Sequence, residues 1–469
     1  MGRRKRQKPF YKDLEITGIA DKGKGFGRND DGKIIFVKKV AVGDVVSAQV
    51  IKKRKDYSEA VLKEIQTPSS DRVTPFCKHY GICGGCQFQH VGYAAQKRYK
   101  ASLVEDAMRR IAKVPIGELL PIIGCEKEKY YRNKLEFAFS CKRWLTADEI
   151  NTDATNEEEV VGFHPPGAFD KVVDVEHCYL QDEPSNEIRD VIKSIALEQK
   201  LPFWEARKNE GFMRQVMIRT TSTGETMVIL GVHDEDERLE KLLERIVEQL
   251  PSITSLYYCV NQKVNDFMLD LEMKLHHGSP TITEQLGHVK FKIGPKSFFQ
   301  TNSTQAKVLY DVVVDFADLK GEENVYDLYT GLGSIAQYVS HRCKKVTGIE
   351  EIAAAIEDAK KNATLNEIEN CTFYAGDVKD ILNESFIEKH KKPDLIITDP
   401  PRAGMSKEVV ATLLQSETPR IVYVSCNPAT QARDLQLLHE KYDIEKVQPV
   451  DMFPHTHHIE SVALLTLRS

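Results

Sequence analysis

Residues 324–350, NVYDLYTGLGSIAQYVSHRCKKVTGIE, decide the fold. The apolar run NVYDLY passes through Asp327 into a turn, Tyr329-Thr330-Gly331-Leu332-Gly333. A short helical stretch, IAQYVS, follows, and then a second apolar run, KKVTGIE, that ends in Glu350. Strand, glycine turn, helix and strand make a βαβ unit. Glycines there permit a tight turn and let a ligand approach the backbone, and a carboxylate at the end of the second strand suits a ribose diol. NAD-binding proteins share this layout. Asp327 four residues before Gly331, Ser334 at the helix start and Ala336 in place of a pyrophosphate-binding glycine tilt the reading away from NAD.

Outward from this unit the alternation continues. A helix with Leu309, Val312, Val313 and Phe316 on one face precedes it. After it come a helix over 352–366, the strands CTFYAGD and PDLIITDPP, a helix near 408–414, the strand RIVYVSC, a helix over 430–441 and two last strands. The pattern predicts an α/β domain, residues 297–469, with a parallel, doubly wound, Rossmann-like sheet. Ligands of such sheets bind outside the carboxyl ends of the strands. Asp327, Glu350, Asp377, Asp399 and Cys426 all stand at those ends.

Residues 1–66 alternate short apolar and polar runs around glycine turns and predict a small β-barrel, a common nucleic-acid module. They hold 17 Lys and Arg against 9 Asp and Glu, a balance of +8; with a net charge of −5, the rest of the chain carries −13. A basic arm before an acidic body suits contact with a polyanion, and for residues 1–9 alone a solvated tail fits equally. TPSSDRVTP (67–75) reads as a linker. Residues 67–296 read as a mixed α+β domain, with an amphipathic helix in YAAQKRYKASLVEDAMRRIA and another over 237–249. The chain has 469 residues, 41% hydrophobic and 29% charged, without the run of ~20 apolar residues that a membrane-spanning helix needs. MGRRKRQKPF lacks the apolar run of a signal peptide. The expectation is a cytoplasmic, monomeric protein.

Ten cysteines in such a chain should be buried, metal-bound or catalytic. Cys77-x5-Cys83-x2-Cys86, with Cys178 far downstream and Cys125 and Cys141 as other candidates for the fourth place, offers four thiolates. These suit tetrahedral zinc or an iron–sulfur cluster, and the spacing alone leaves both open.

FFQTN (298–302), DLYTGLGS (327–334), DPPRAG (399–404), SCNP (425–428) and FPHTHHIE (453–460) together resemble the 23S ribosomal RNA (uracil-5-)-methyltransferases along nearly the whole chain. Thr330, where many relatives carry cysteine, and Ser334, where many carry asparagine, depart from that pattern. The resemblance implies an N-terminal OB-like TRAM barrel that binds RNA, S-adenosylmethionine as methyl donor, and a [4Fe–4S] cluster on Cys77, Cys83, Cys86 and Cys178. It implies cofactor contacts from Gln300, Tyr329, Ser334, Glu350, Asp377 and Asp399. It also implies Cys426 as nucleophile and Glu460 as base. Uracil C5 is a poor nucleophile; a thiolate adding to C6 activates it, and a base must then remove the C5 proton. His455, His457 and His458 rival Glu460 on chemical grounds and could with it bind a metal. The expected product is 5-methyluridine, in 23S ribosomal RNA before transfer RNA, because the shorter transfer-RNA enzymes generally lack both barrel and cluster. A cytosine-C5 RNA methyltransferase is the enzymatic rival, although its usual Pro-Cys motif is missing. An inactive RNA-binding ribosome assembly factor is the rival of another class.

Overall fold

The computed structural model describes residues 8–468; the basic run at residues 1–7 lies outside them. Strands Phe10–Glu15, Val45–Lys53, Tyr57–Thr67, Ile34–Val37, Lys24–Arg28 and Gly18–Ala20 form, in that order, one six-stranded sheet. Its core is small: Leu14, Ile16, Ile35, Val37, Val46 and Val50 point inward at alternate positions.

A second sheet of seven strands runs Val173–Asp174, Glu157–Phe163, Lys134–Lys142, Met213–Thr220, Thr226–Val232, Ser255–Val260 and Lys274–Gly278. Its one parallel pairing, Thr226–Val232 with Ser255–Val260, is joined by the helix Glu237–Gln249. That helix buries Leu239, Leu242, Leu243 and Ile246 on one face, and Asp236 caps its start by accepting from the Arg238 amide.

The third sheet holds the site. Its order is Cys371–Ala375, Lys345–Glu350, Asn324–Leu328, Leu395–Thr398, Arg420–Ser425, Glu460–Leu467, Tyr442–Val450 and Ile116–Leu119. Val325, Val346, Ile397 and Val424 face one core, and Tyr326, Ile349, Ile396 and Tyr423 face the other. The sheet is thus covered on both sides, as a doubly wound fold requires.

Two expectations need correction. The sheet is not wholly parallel: Glu460–Leu467 runs antiparallel to both its neighbours. Only residues 451–459 separate it from the preceding strand, too few for the crossover that a parallel return demands. The expected central domain, 67–296, is also not one unit. Ile116–Leu119 pairs in parallel with Tyr442–Val450 and covers what would be a bare sheet edge. One core cluster runs without a break from Met217, Met227 and Ile229 of the seven-stranded sheet into Val325 and Val422.

Candidate active site

The glycine turn is shaped by three left-handed residues, Tyr329 (φ 64°), Gly331 (φ 57°) and Gly333 (φ 79°). A Cβ on Gly333 would lie 2.8 Å from Gln337 Nε2 and 3.0 Å from the Phe373 ring, so that face is closed. A Cβ on Gly331 would meet nothing within 4 Å, which leaves the other side open for a ligand. Glu350 grips the loop: its carboxylate accepts from the Gly331 amide (3.1 Å) and the Ile352 amide (3.0 Å). Beneath lies Asp327, 1% exposed, accepting from the Thr330 hydroxyl and from the Ala336 amide (3.1 Å). Its other oxygen is buried without a partner. Ser334 shares a 2.8 Å hydrogen bond with the Tyr310 hydroxyl.

The remaining residues come from neighbouring strand ends. Asp399 directly follows Leu395–Thr398, and Cys426 directly follows Arg420–Ser425. The reversed last strand explains Glu460. Because Ser425 pairs with Ser461, the first residue of that strand arrives at the carboxyl edge of its neighbours, level with Cys426. A parallel strand would have delivered it to the opposite edge.

The electrostatics show how close these groups stand. Burial first, then the Glu460 and Asp399 carboxylates, push the Cys426 thiol up to about 11, against Arg402 and a backbone hydrogen bond. Glu460, 6% exposed, is raised well above the ordinary carboxylate range by burial and by Asp399. Burial and the neighbouring Asp327 raise Asp399 to about 7. Asp327 is pushed to about 7 by burial, with Glu350 adding and its hydrogen bonds to Thr330 and Ala336 opposing. A chain of carboxyls thus runs from the glycine loop to the thiol, with the exposed Arg402 as the counter-charge felt by Glu460 and Cys426.

The other expected residues are placed less directly. Tyr329 is half-buried and is raised to about 12 by burial, then by Asp377 and Asp434. Asp377 caps the helix Val378–Ile381 by accepting from the Lys379 amide. Gln300 is fixed through its backbone, its carbonyl accepting from the Asn133 amide group at 3.0 Å. The histidines divide. His455 turns into the cysteine segment, where its carbonyl accepts from the Gln87 (2.7 Å) and Phe88 (3.0 Å) amides. His457 and His458 stack on each other with ring centroids 4.2 Å apart. Burial lowers both, His458 to about 4, which leaves them neutral.

The four thiols of Cys77, Cys83, Cys86 and Cys178 share one neighbourhood. Burial leads in raising Cys86 to about 12, and Cys83, Cys178 and Cys77 add to it. Cys178 is raised to about 11 by burial, with Cys83 and Cys77 contributing. The other two candidates for the fourth place lie elsewhere: Cys125 donates to the Asp451 carbonyl (3.0 Å), and Cys141 sits beside Glu205. Among the described residues no three His, Cys, Asp or Glu side chains are drawn to metal-holding spacing.

Two features escaped the sequence reading. Arg402 appears in the sequence reading only within the DPPRAG motif, with no role assigned to it. Lys100, in the segment read as an amphipathic helix, forms a fully buried ion pair (2.6 Å) with Asp451, the first residue of the 451–459 loop. The signal available was a lysine and a glutamine, Lys100 and Gln96, on the face that such a helix should bury.

An open glycine loop, an acid at the next strand end and a carboxyl edge lined by Asp399 and Cys426 define an enzyme of the Rossmann-like methyltransferase class. Comparison with known proteins narrows this. Residues 215–468 match the tRNA (uracil-5-)-methyltransferase family, and residues 11–63 match the TRAM domain. An uncharacterized RNA methyltransferase of Bacteroides thetaiotaomicron is 51% identical over 455 residues, 96% of this chain and 100% of its own. One from Porphyromonas gingivalis is 50% identical over 461 residues, 96% of this chain and 99% of its own. Among solved structures, a Pyrococcus abyssi tRNA (uracil-54, C5)-methyltransferase in complex with S-adenosyl-L-homocysteine aligns with a TM-score of 0.76 at 28% identity. The match covers 97% of this chain and 100% of that one. The chain belongs to the TRAM-containing RNA uracil-C5 methyltransferase family and is an S-adenosylmethionine-dependent enzyme. No helix among the described residues is long and apolar enough to cross a membrane.

The acidic edge fits a cationic donor and sets a pH dependence. Asp327 and Asp399 sit near 7 in the ligand-free protein, so below that they are mostly protonated. A sulfonium favours the carboxylates, so binding at low pH must expel protons, and affinity should rise with pH until both groups are ionised. Each proton expelled adds up to about tenfold per pH unit. Calorimetric titration with S-adenosylmethionine should show affinity climbing from about pH 5.5 to 7 and levelling above. S-adenosylhomocysteine, which lacks the sulfonium charge, should show a shallower climb. A flat profile for both would show that these carboxyls do not face the ligand.

Proposed function

We propose that this enzyme forms 5-methyluridine in RNA through a covalent bond between Cys426 and uracil C6. The observation that carries this reading is the convergence of Cys426, Glu460 and Asp399 at one strand edge, where both carboxylates raise the thiol and Asp399 raises Glu460. Such chemistry needs one thiol and one base beside the methyl donor. Thiolate addition to C6 places electron density on C5, which takes the methyl group. Glu460 must be ionised at this point, against the burial and the Asp399 charge that raise it; in that form it accepts the C5 proton, the C5=C6 bond re-forms, and Cys426 leaves as a thiolate. Asp399, between the glycine loop and the thiol, is placed to orient the methionine end of the donor or the uracil. Tyr329, Ser334, Glu350, Asp377 and the Gln300 segment are assigned to the donor. The target base must leave its stack to reach this edge. His457 and His458, neutral and therefore able to accept a proton, remain the chemical rivals of Glu460 for this step.

Ribosomal RNA, 23S, is the first substrate reading. Transfer RNA is the second, and the whole-length likeness to a tRNA (uracil-54, C5)-methyltransferase favours it, since 97% of this chain aligns with that protein. Methyl transfer to separate 23S and transfer-RNA transcripts, followed by mapping of 5-methyluridine in RNA from a deletion strain, tests both. Methylation of cytidine, or of neither RNA, would overturn the proposal.

Cys77, Cys83, Cys86 and Cys178 fit a group bound by four thiolates: their thiols are mutually coupled, and Gly81 and Gly84 turn with φ near +80° between them. We assign them to a [4Fe–4S] cluster, with zinc as the lesser alternative. It would tie the 77–86 segment to the distant Cys178. Anaerobically purified protein should be brown with about four irons, and Cys83→Ser should bleach it. Stoichiometric zinc without iron would remove the cluster and leave the methyltransferase reading intact.

A further inference from the structure

The helix Tyr93–Ala107 buries a stripe that is polar. Gln96 and Lys100 are 0% exposed, and with Tyr93 they stand at i, i+3 and i+7, one face of an α-helix. All three reach the 451–459 loop. Lys100 donates to the Asp451 carboxylate (2.6 Å) and to the Phe453 carbonyl (2.9 Å). The Tyr93 hydroxyl donates to the other Asp451 oxygen (3.1 Å). The Gln96 carbonyl accepts from the His455 amide (2.8 Å), and its amide group lies 3.1 Å from His455 Nδ1. The loop has a second tether: Asn302, two residues after Gln300, donates to the Met452 carbonyl (2.8 Å).

Removing a lysine and an aspartate from water is unfavourable, and apolar side chains of similar volume could hold a loop as well. What directional bonds add is a single geometry. The loop they fix ends at Glu460, whose backbone must be held within a fraction of an ångström for proton transfer.

We propose that Tyr93, Gln96 and Lys100 are positioning residues that act through Asp451 and His455 to set Glu460 against the C5 proton of the methylated adduct. This rests on the assignment of Glu460 as base. In that adduct Cys426 Sγ is bonded to C6 and the methyl group to C5. Glu460 takes the C5 proton, its bonding pair forms C5=C6, and the C6–S pair departs with the thiolate. A displaced loop impairs this step and spares methyl transfer, which precedes it.

The test is the double variant Lys100→Met with Asp451→Asn, which removes both charges together and strands neither. Gln96→Leu, which removes no charge, serves as a second variant. Each full-length protein is given the transcript that accepts methyl groups, tritiated at uracil C5, together with S-adenosylmethionine carrying a 14C methyl group. In the wild type, methyl incorporated and tritium released should be equal. In both variants, single-turnover methyl incorporation should stay within about threefold of wild type while tritium release slows about 10- to 100-fold. A methylated adduct should accumulate on denaturing gels, and affinity for the donor should stay within about twofold. Methyl incorporation and tritium release that fall together, or that both remain normal, would overturn the proposal. Glu460→Gln in the same assay separates the two claims. If it fails to trap the adduct, the base assignment falls. If it traps while the variants release in step, only the positioning role falls.

Discussion

Cys426→Ala should lose uridine methylation by on the order of 10⁴-fold or more, and no RNA should remain attached to it after denaturation. The size of the effect follows from the chemistry, because without a C6 adduct nothing else at this edge makes C5 nucleophilic. The loss should not arise from misfolding. Cys426 is half-buried at the end of a strand, and the truncation removes one sulfur. That should cost no more than about 1 kcal/mol, and the melting temperature should move by only a few degrees. Donor binding should also survive, since the glycine loop, Glu350 and Asp327 are untouched. With its thiol held near 11 by burial, Glu460 and Asp399, Cys426 is roughly one part in 10⁴ thiolate at pH 7. Burial first, with the acidic edge adding to it, therefore keeps the nucleophile protonated in the ligand-free protein. Retained 5-methyluridine formation by Cys426→Ala would end the covalent mechanism.

How much of this could be read from sequence depended on whether the signal was local. The helix over 237–249 was legible to the residue, because Leu239, Leu242, Leu243 and Ile246 recur with helical period behind a capping Asp236. The βαβ unit at 324–350 was legible because glycines 331 and 333 break the pattern where the chain must turn. Non-local facts were not legible. Nothing in the apolar run VALLTL states that its strand runs antiparallel; the nine-residue connection does, and it was passed over. Ile116–Leu119 is only four residues long, and its place at the far sheet edge is settled by a partner more than three hundred residues away. Cys178 could be offered as a fourth ligand only by resemblance, with Cys125 and Cys141 as rivals; where those two lie, beside Asp451 and Glu205, depends on contacts that no spacing reports. The buried lysine is the clearest case: the helical period puts Lys100 on the face to be buried, but only the tertiary partner Asp451 explains how a lysine can be held there.

Glu460→Gln should fail in the opposite manner to Cys426→Ala, although both are inactive in turnover. The amide keeps the size and burial of the side chain but cannot accept the C5 proton, so steady-state turnover should drop by about 10²- to 10⁴-fold. Cys426 and the donor site remain, so one methyl group should still be transferred. The reaction then stops with Sγ bonded to C6 and a labelled methyl group on C5, and this adduct should survive a denaturing gel. The substitution should also stabilise the ligand-free fold at neutral and higher pH. Glu460 is raised far above its unfolded value by burial and by Asp399, so the native state holds its proton longer than the unfolded chain does. The fold therefore loses stability as pH rises above the ordinary carboxylate range, and a neutral glutamine abolishes that loss. The same relief reaches Cys426, whose thiol is raised in part by the Glu460 charge, so the attacking thiolate should be more abundant in the variant at high pH. Adduct formation by Glu460→Gln is thus expected to be at least as fast as in the wild type while its release is blocked. If Glu460→Gln turns over normally while His457→Ala or His458→Ala traps a methylated adduct, the base is one of those histidines. A variant that neither methylates nor traps would return Glu460 to a structural role.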